Sequence, residues 1–230
     1  MIRCLVALAL IIFTQPFAVA AEFSGYAALT SDYVKRGVTQ SAADAAFQLA
    51  GDIVFDSGWF LGAWGSTVDI DNGPTLQRDL EFNLYAGYAY DVSDLLRVSA
   101  NAVSYEYPGQ TGYIDYNYVE YSLTANFDDR FWLEYSYSPD LYHTKTTSQN
   151  LEAYAEFPLR NNWSIGGGAG YYDVSELSGV GYGYWQLGLS GSFEYADIDF
   201  RYHDANRPVP FISTAANSRP RIAVTIRVLF

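Results

Sequence analysis

Read as extended chain, the sequence repeatedly sets charged groups on one side of a segment and apolar groups on the other. Asp52, Asp69, Asp79, Glu81, Glu120, Glu134, Glu152, Glu156, Asp197 and Asp199 fall on the polar side of such segments, together with Arg97, Arg201, Arg221 and Arg227. Successive side chains of a strand point to opposite faces, so these groups share one surface of a sheet. On the wall of a water-filled lumen, rings of charge select ions by sign, and a surplus of acids favours cations. The same groups also have a structural use. Opposite charges on adjacent strands stabilise one another, with Asp199 and Arg221 or Arg227 as candidate partners, and such pairing fills a narrow barrel. An open lumen and a self-plugged one both follow from this pattern.

Other chemistry is sparse. The only histidines are His143 and His203. No Glu-x-x-His spacing builds a metal site, so neither metal nor cofactor is expected. His143 precedes a Ser/Thr-rich stretch at 144–148, but no Gly-x-Ser-x-Gly elbow accompanies it. A membrane hydrolase is therefore a remote alternative, with no catalytic residue assigned. Gly166, Gly167, Gly168 and Gly170 are not followed by Lys-Ser/Thr, so they are no phosphate loop. They read as room for lumen side chains or a barrel corner. Lys35, Arg36 and Gly37 form a basic patch after the first apolar segment. The plain reading is a pair of solvated loop charges with Gly37 making the turn. Inward folding, or contact with lipopolysaccharide phosphates, is the alternative.

The elements that must carry these residues are strands. Period-two alternation covers 23–33, 46–56, 59–70, 78–90, 95–105, 115–127, 131–138, 150–157, 163–172, 184–193, 195–203 and 221–230. In 78–90, Leu80, Phe82, Leu84, Ala86 and Tyr88 oppose Asp79, Glu81 and Asn83. In 59–70, Phe60, Trp64, Val68 and Ile70 are expected outside, opposite Ala63, Thr67 and Asp69. Several segments run to about ten residues, the length that crosses a bilayer at a tilt. Connections alternate between short (56–58, 91–94, 128–130, 158–162 and near Glu194) and mostly longer (34–45, 71–77, 106–112, 139–149, 173–182 and 204–218). Short periplasmic turns and long external loops are the outer-membrane pattern. Aromatic residues near segment ends, among them Trp59, Tyr88, Tyr105, Tyr107, Trp163, Tyr172 and Tyr184, read as interfacial girdles. A sugar-binding aromatic slide would require several of them to point inward.

Composition agrees. The 230 residues include 13 Lys+Arg against 26 Asp+Glu, a net charge of −13. That balance excludes nucleic acid as a partner, because phosphate neutralisation needs a basic surface. Aromatics reach 17% and charged residues only 17%, too apolar a chain for disorder. Residues 1–21 read as a cleaved signal peptide, with Arg3 before the apolar run 5–13 and small residues at 18–21. The only cysteine, Cys4, lies inside it. The barrel domain is then 22–230. Its final strand, ending at Phe230, is expected to close the wall against the first strand and to be read by the barrel-assembly machinery.

From Ser24 to Ser41 the sequence SGYAALTSDYVKRGVTQS resembles the opening signature of the TorF-type putative porin family of Gram-negative outer-membrane proteins. Ser57-Gly58-Trp59-Phe60 with Gly62 and Trp64, the stretches 84–88 and 105–109, and Gly170-Tyr171-Tyr172-Asp173 extend the likeness over the mature chain. The resemblance implies a porin-like role and carries no catalytic residues. Thr39 stands where Ser is more usual.

The expected fold is all-β: a single transmembrane antiparallel barrel of about twelve strands with short periplasmic turns and longer extracellular loops. A secreted β-sandwich is the competing fold. The expected function is passive diffusion of small polar or cationic solutes or ions through the outer membrane, among its lipid and lipopolysaccharide. The alternative is a closed barrel acting structurally or through its external loops.

Overall fold

A computed structural model describes residues 21–71, 77–111 and 115–230. The signal-peptide reading falls outside the described residues, except for Ala21, which begins the first strand. In chain order the elements are β1 (Ala21–Thr30), β2 (Val34–Lys35), β3 (Val38–Thr39), β4 (Ala46–Phe55), β5 (Trp59–Asp71), β6 (Gln77–Ser93) and β7 (Leu96–Glu106). There follow β8 (Tyr118–Phe127), β9 (Phe131–Ser138), β10 (Ser148–Pro158), β11 (Trp163–Asp173), the single turn α1 (Ser175–Ser178), β12 (Tyr182–Ser192), β13 (Ala196–Ala205) and β14 (Arg221–Leu229).

Twelve of the strands form one closed antiparallel barrel, each paired with its sequence neighbour, with β1 paired to β14 at the seam. The pair β2–β3 stands apart as a hairpin. Closure leaves no open sheet edge, which a membrane demands because lipid cannot hydrogen-bond a free amide. At the seam Tyr26 faces Leu229 and Thr30 faces Thr225. Gly25 N–H donates to the Phe230 carbonyl at 2.9 Å, and Phe230 N–H donates back at 3.0 Å. The Phe230 ring lies on Gly25, where an added Cβ would come within 2.6 Å of ring carbon Cε2.

The outer face is an exposed apolar belt: Leu29, Leu49, Leu61, Leu84, Leu123, Leu133, Leu151, Leu187, Phe200 and Ile226 among others. Such a surface is stable only against hydrocarbon. Contacting outer rings, Trp59–Tyr88, Phe131–Phe157 and Trp163–Phe193, cluster near the short-turn end.

One strand faces the opposite way from the sequence expectation. In β5, Trp64 is registered with Ala50 and Ser66 with Gln48, all on the inner face. Trp64 donates its indole N–H to the Tyr26 hydroxyl at 3.1 Å, and Val68 is buried. Thr67 and Asp69 are exposed on the outer side. Apolarity misassigns this strand because folded-in loops make part of the lumen apolar. Tyr105, Tyr107, Tyr172 and Tyr184, expected in girdles, are likewise inside, in or beside one buried cluster with Val38, Val68 and Tyr118.

Deleting Phe230 removes its two hydrogen bonds with Gly25 and the ring over that residue. The expected result is less folded, heat-resistant barrel in membranes, measured by electrophoretic mobility. Undiminished recovery would show that the seam closes without it.

Candidate functional site inside the barrel

The inner site begins where β1 ends. Asp32, 5% exposed, accepts hydrogen bonds from Thr39 Oγ1 and from Ser41 Oγ at 3.2 Å, and a guanidinium N–H of Arg221 at 2.9 Å. One carboxylate thus ties both legs of the β2–β3 hairpin to the last strand. The hairpin turns on Arg36 and Gly37, with φ of 50° and 75°. A two-residue turn with both φ positive is the one that matches strand twist, and it favours glycine. A side chain on Gly37 would also come within 2.8 Å of both the Asp204 carbonyl and Tyr184 Cβ. The hairpin therefore lies flat against the inner wall and is not a solvated loop.

Its two cations reach across the barrel. Arg36 grips Glu120 of β8 with two N–H donors at 2.8 and 3.0 Å, the two side chains being 9% and 3% exposed. Its guanidinium also stands 4.5 Å from the centre of the Tyr172 ring. Lys35 Nζ donates to the Tyr118 hydroxyl at 3.1 Å and sits 3.5 Å above the Tyr105 ring. Burial alone would lower the Arg36 pKa, but the Glu120 carboxylate outweighs it and holds the group well above its ordinary value. The guanidinium stays charged. Burial first, then the Glu81 carboxylate, raise the Tyr33 phenol, which stays a neutral donor. The expectation of a solvated Lys35–Arg36 patch is thus corrected. Desolvating these cations is offset by a bidentate carboxylate and ring faces.

Above the hairpin the long loops close the barrel end. Tyr107, Tyr116, Leu141, Val174 and Val209 are all buried there, packed in one cluster with Val38. The space left between cap and hairpin is about 30 Å³, room for about one water. Below the hairpin is a cavity of about 390 Å³. Its lining includes Asn101, Glu134, Glu152, Tyr184, Gln186 and His203, with Lys35 and Arg36 as its roof.

The sequence-derived charges distribute as follows. Glu134 and Glu152 face one another directly across β9 and β10. Glu134 accepts from Ser136 at 3.0 Å and Thr124 at 3.3 Å; Glu152 accepts from Gln186 at 3.0 Å and lies 2.9 Å from the Tyr184 hydroxyl. Glu81 is fully buried and accepts from Asn83 at 3.0 Å. Asp52 accepts from Tyr85, and Glu156 from Tyr154 and Ser164. Five lumen carboxylates, Asp52, Glu81, Glu134, Glu152 and Glu156, thus meet hydroxyls and amides and form no ion pair among the described residues. Asp199 pairs with Arg201 of its own strand at 2.7 Å, Arg221 with Asp32, and Arg227 with Asp197 at 3.5 Å. The expected cross-strand pairing of Asp199 with Arg221 or Arg227 is replaced by these. Arg97 pairs with Asp91 at the exposed short-turn end, lining a second cavity of about 350 Å³. Asp79 shares the face of Glu81 but is exposed at the long-loop end. Asp69, on the outside, does not join the lumen set.

The run of inward glycines has a defined use. Gly62 receives the Tyr85 ring, Gly166 and Gly168 the Tyr154 ring, Gly170 the Tyr184 ring and Gly188 the Arg201 side chain. These sockets let large polar side chains lie along the wall. His143 is exposed between Asp115 and Asp140, at 3.7 and 3.8 Å. Among the described residues no group of three or more His, Cys, Asp or Glu is placed to hold a metal ion. The residues that sequence reading missed are Asp32, Tyr33, Tyr105 and Tyr118. The Thr30-x-Asp32 and Thr39-x-Ser41 spacing was the available signal for Asp32.

A sequence profile of the family described as "Bacterial protein of unknown function (Gcw_chp)" matches residues 15–228, and the chain belongs to that family. No curated protein matches it by sequence. Among solved structures it is similar to a KdgM porin, at 10% identity and TM-score 0.56, covering 91% of this chain and 98% of that one. It is also similar to a KdgM porin in complex with disordered oligogalacturonate, and to a NanC porin. Both share 10% identity, TM-score 0.57 and coverage of 91% of this chain and 99% of the other. The fold is that of outer-membrane porin barrels.

The Asp32–Arg221 pair gives a direct test. Arg221→Ala strands a buried carboxylate and is expected to destabilise the barrel by roughly 3–5 kcal/mol, read as a lower urea midpoint in detergent. Adding Asp32→Asn should restore much of the loss. An unchanged midpoint in the single variant would show that this pair does not anchor the hairpin.

Proposed function

We propose that this member of the Gcw_chp family is an outer-membrane, porin-like channel for small polar or cationic solutes, closed at its long-loop end in the conformation described. Export by the 1–21 signal peptide, insertion by the barrel-assembly machinery through the Phe230 end, and contact with lipopolysaccharide belong to the same proposal. The observation that carries it is the cavity beneath the hairpin. On its wall the carboxylates Glu134 and Glu152, which form no ion pair among the described residues, are held face to face across two strands.

Like charges directly opposite on neighbouring strands are destabilising. A fold optimised only to fill its interior would set a base against one of them, as it does at Asp199–Arg201 and Asp197–Arg227. Leaving both acids on a cavity wall instead creates a negative potential that a passing cation relieves. Asn101 Oδ1, on the same wall, is a buried acceptor with no protein donor. The resemblance of residues 24–41 to TorF-type putative porins supports the same class, and the hairpin lies inside that segment.

The buried cap favours a second reading, a permanently closed barrel acting through its external loops. Planar-bilayer recording decides between them. Discrete conductance steps are expected, with a reversal potential on the cation side in a KCl gradient. Glu134→Gln with Glu152→Gln should move that potential toward zero, whereas Asp69→Asn, on the outer face, should leave it unchanged. An absence of steps at every voltage, from wild type and from Arg36→Gln alike, would leave only the closed barrel.

A further inference from the structure

We propose that the β2–β3 hairpin is a movable gate, latched across the lumen by the Arg36–Glu120 ion pair. The inference rests on the channel reading and adds how the channel opens. Three observations carry it. First, the hairpin's two cationic side chains cross the lumen. The hairpin leaves from β1 and its Gly37 tip lies against β12 and β13, while the Lys35 and Arg36 side chains reach β8, which lies five strands from β1 one way round the wall and seven the other. Second, its hold on the far wall is mainly electrostatic. Arg36 contributes two hydrogen bonds to Glu120 and a face contact with Tyr172, Lys35 a hydrogen bond to Tyr118 and contacts with the Tyr105 and Tyr118 rings, and Val38 joins the buried apolar cluster. Third, it is not packed on both sides. The large cavity lies below it, while above it Val38 packs into the cap beside a void of about one water.

The base of the hairpin is built differently from its tip. Asp32 holds both legs through Thr39, Ser41 and Arg221, so the tip can leave the wall while the root stays fixed. The tip carries two positive charges into the lumen from the long-loop end. A potential positive on the short-turn side therefore pushes it outward, and the opposite polarity seats it. Opening is accordingly expected at one polarity only.

The test reads hairpin position separately from current. Val38→Cys, 2% exposed in the closed state, serves as the reporter in a background with Cys4, the chain's one cysteine, replaced by serine. A membrane-impermeant maleimide is applied to the folded barrel in liposomes, and the same proteins are recorded in planar bilayers. Glu120→Gln and Arg36→Gln each leave a buried charge without its partner and are expected to raise both labelling rate and open probability by on the order of 100-fold. The reversed pair, R36E with E120R, should bring both back toward wild type and exclude general misfolding. Unchanged labelling in both single variants would overturn the latch. Faster labelling without current in any variant would show a mobile hairpin in a barrel that does not conduct, overturning both gate and channel. Faster labelling with conductance already maximal in wild type would refute the gate alone.

Discussion

Hydrocarbon offers no partner to a backbone amide, and each unsatisfied group there costs several kcal/mol. That constraint organises the whole chain. It forces β1 onto β14 and so fixes which residues meet at the seam. It also fixes the parity of each strand. Once Tyr26 points in and Leu29 points out, every registered neighbour around the wall inherits a side. Trp64, Glu81, Glu120, Glu134 and Glu152 share an interior because of this inheritance, not because their local sequences are alike.

The interior that closure creates is too wide for side chains alone to fill and too enclosed for charges to ignore one another. The sequence meets this in two ways. Along the wall, glycine sockets accept the Tyr85, Tyr154 and Tyr184 rings, which donate to Asp52, Glu156 and the Asn150–Glu152 pair. Carboxylates are thereby solvated by phenols where no cation is at hand. Across the middle, a hairpin supplies the missing cations. Arg36 and Lys35 are desolvated together, and the cost is offset by a carboxylate and three aromatic faces.

The barrel was legible in the sequence because period-two alternation and the alternation of loop lengths report directly on strand parity and topology. All twelve wall strands stand within a few residues of where the pattern puts them. The failures have two causes. Val68 and Trp64 are apolar and inside, Asp69 is acidic and outside, and Lys35 and Arg36 are basic and buried. Trp64 and Asp69 follow the parity of the wall, while Val68, Lys35 and Arg36 are buried because the hairpin folds into the lumen. Hydrophobicity separates faces only when one side is wet, and here the upper lumen is a second apolar core. Nothing local in Val34–Thr39 announces this. The Arg-Gly turn tells that the chain reverses, while the direction is set by Asp32, Glu120 and Arg221, which lie up to 189 residues apart.

In the proposed channel, gate and filter become one electrostatic system. With the hairpin seated, Glu120 is neutralised by Arg36, and the cavity below holds Glu134 and Glu152 beneath a positive roof. On the proposed reading, the carboxylates would turn back anions and the roof cations in the closed state. With the hairpin withdrawn, the two positive charges leave and Glu120 is bared. The lumen gains negative charge in the same step that clears it. A cation entering at that moment takes the place that Arg36 left, competing with the hairpin's return. On the proposed reading, permeant cations would hold the channel open by occupancy, and cation preference and opening would be linked through Glu120 as reciprocal effects on one equilibrium.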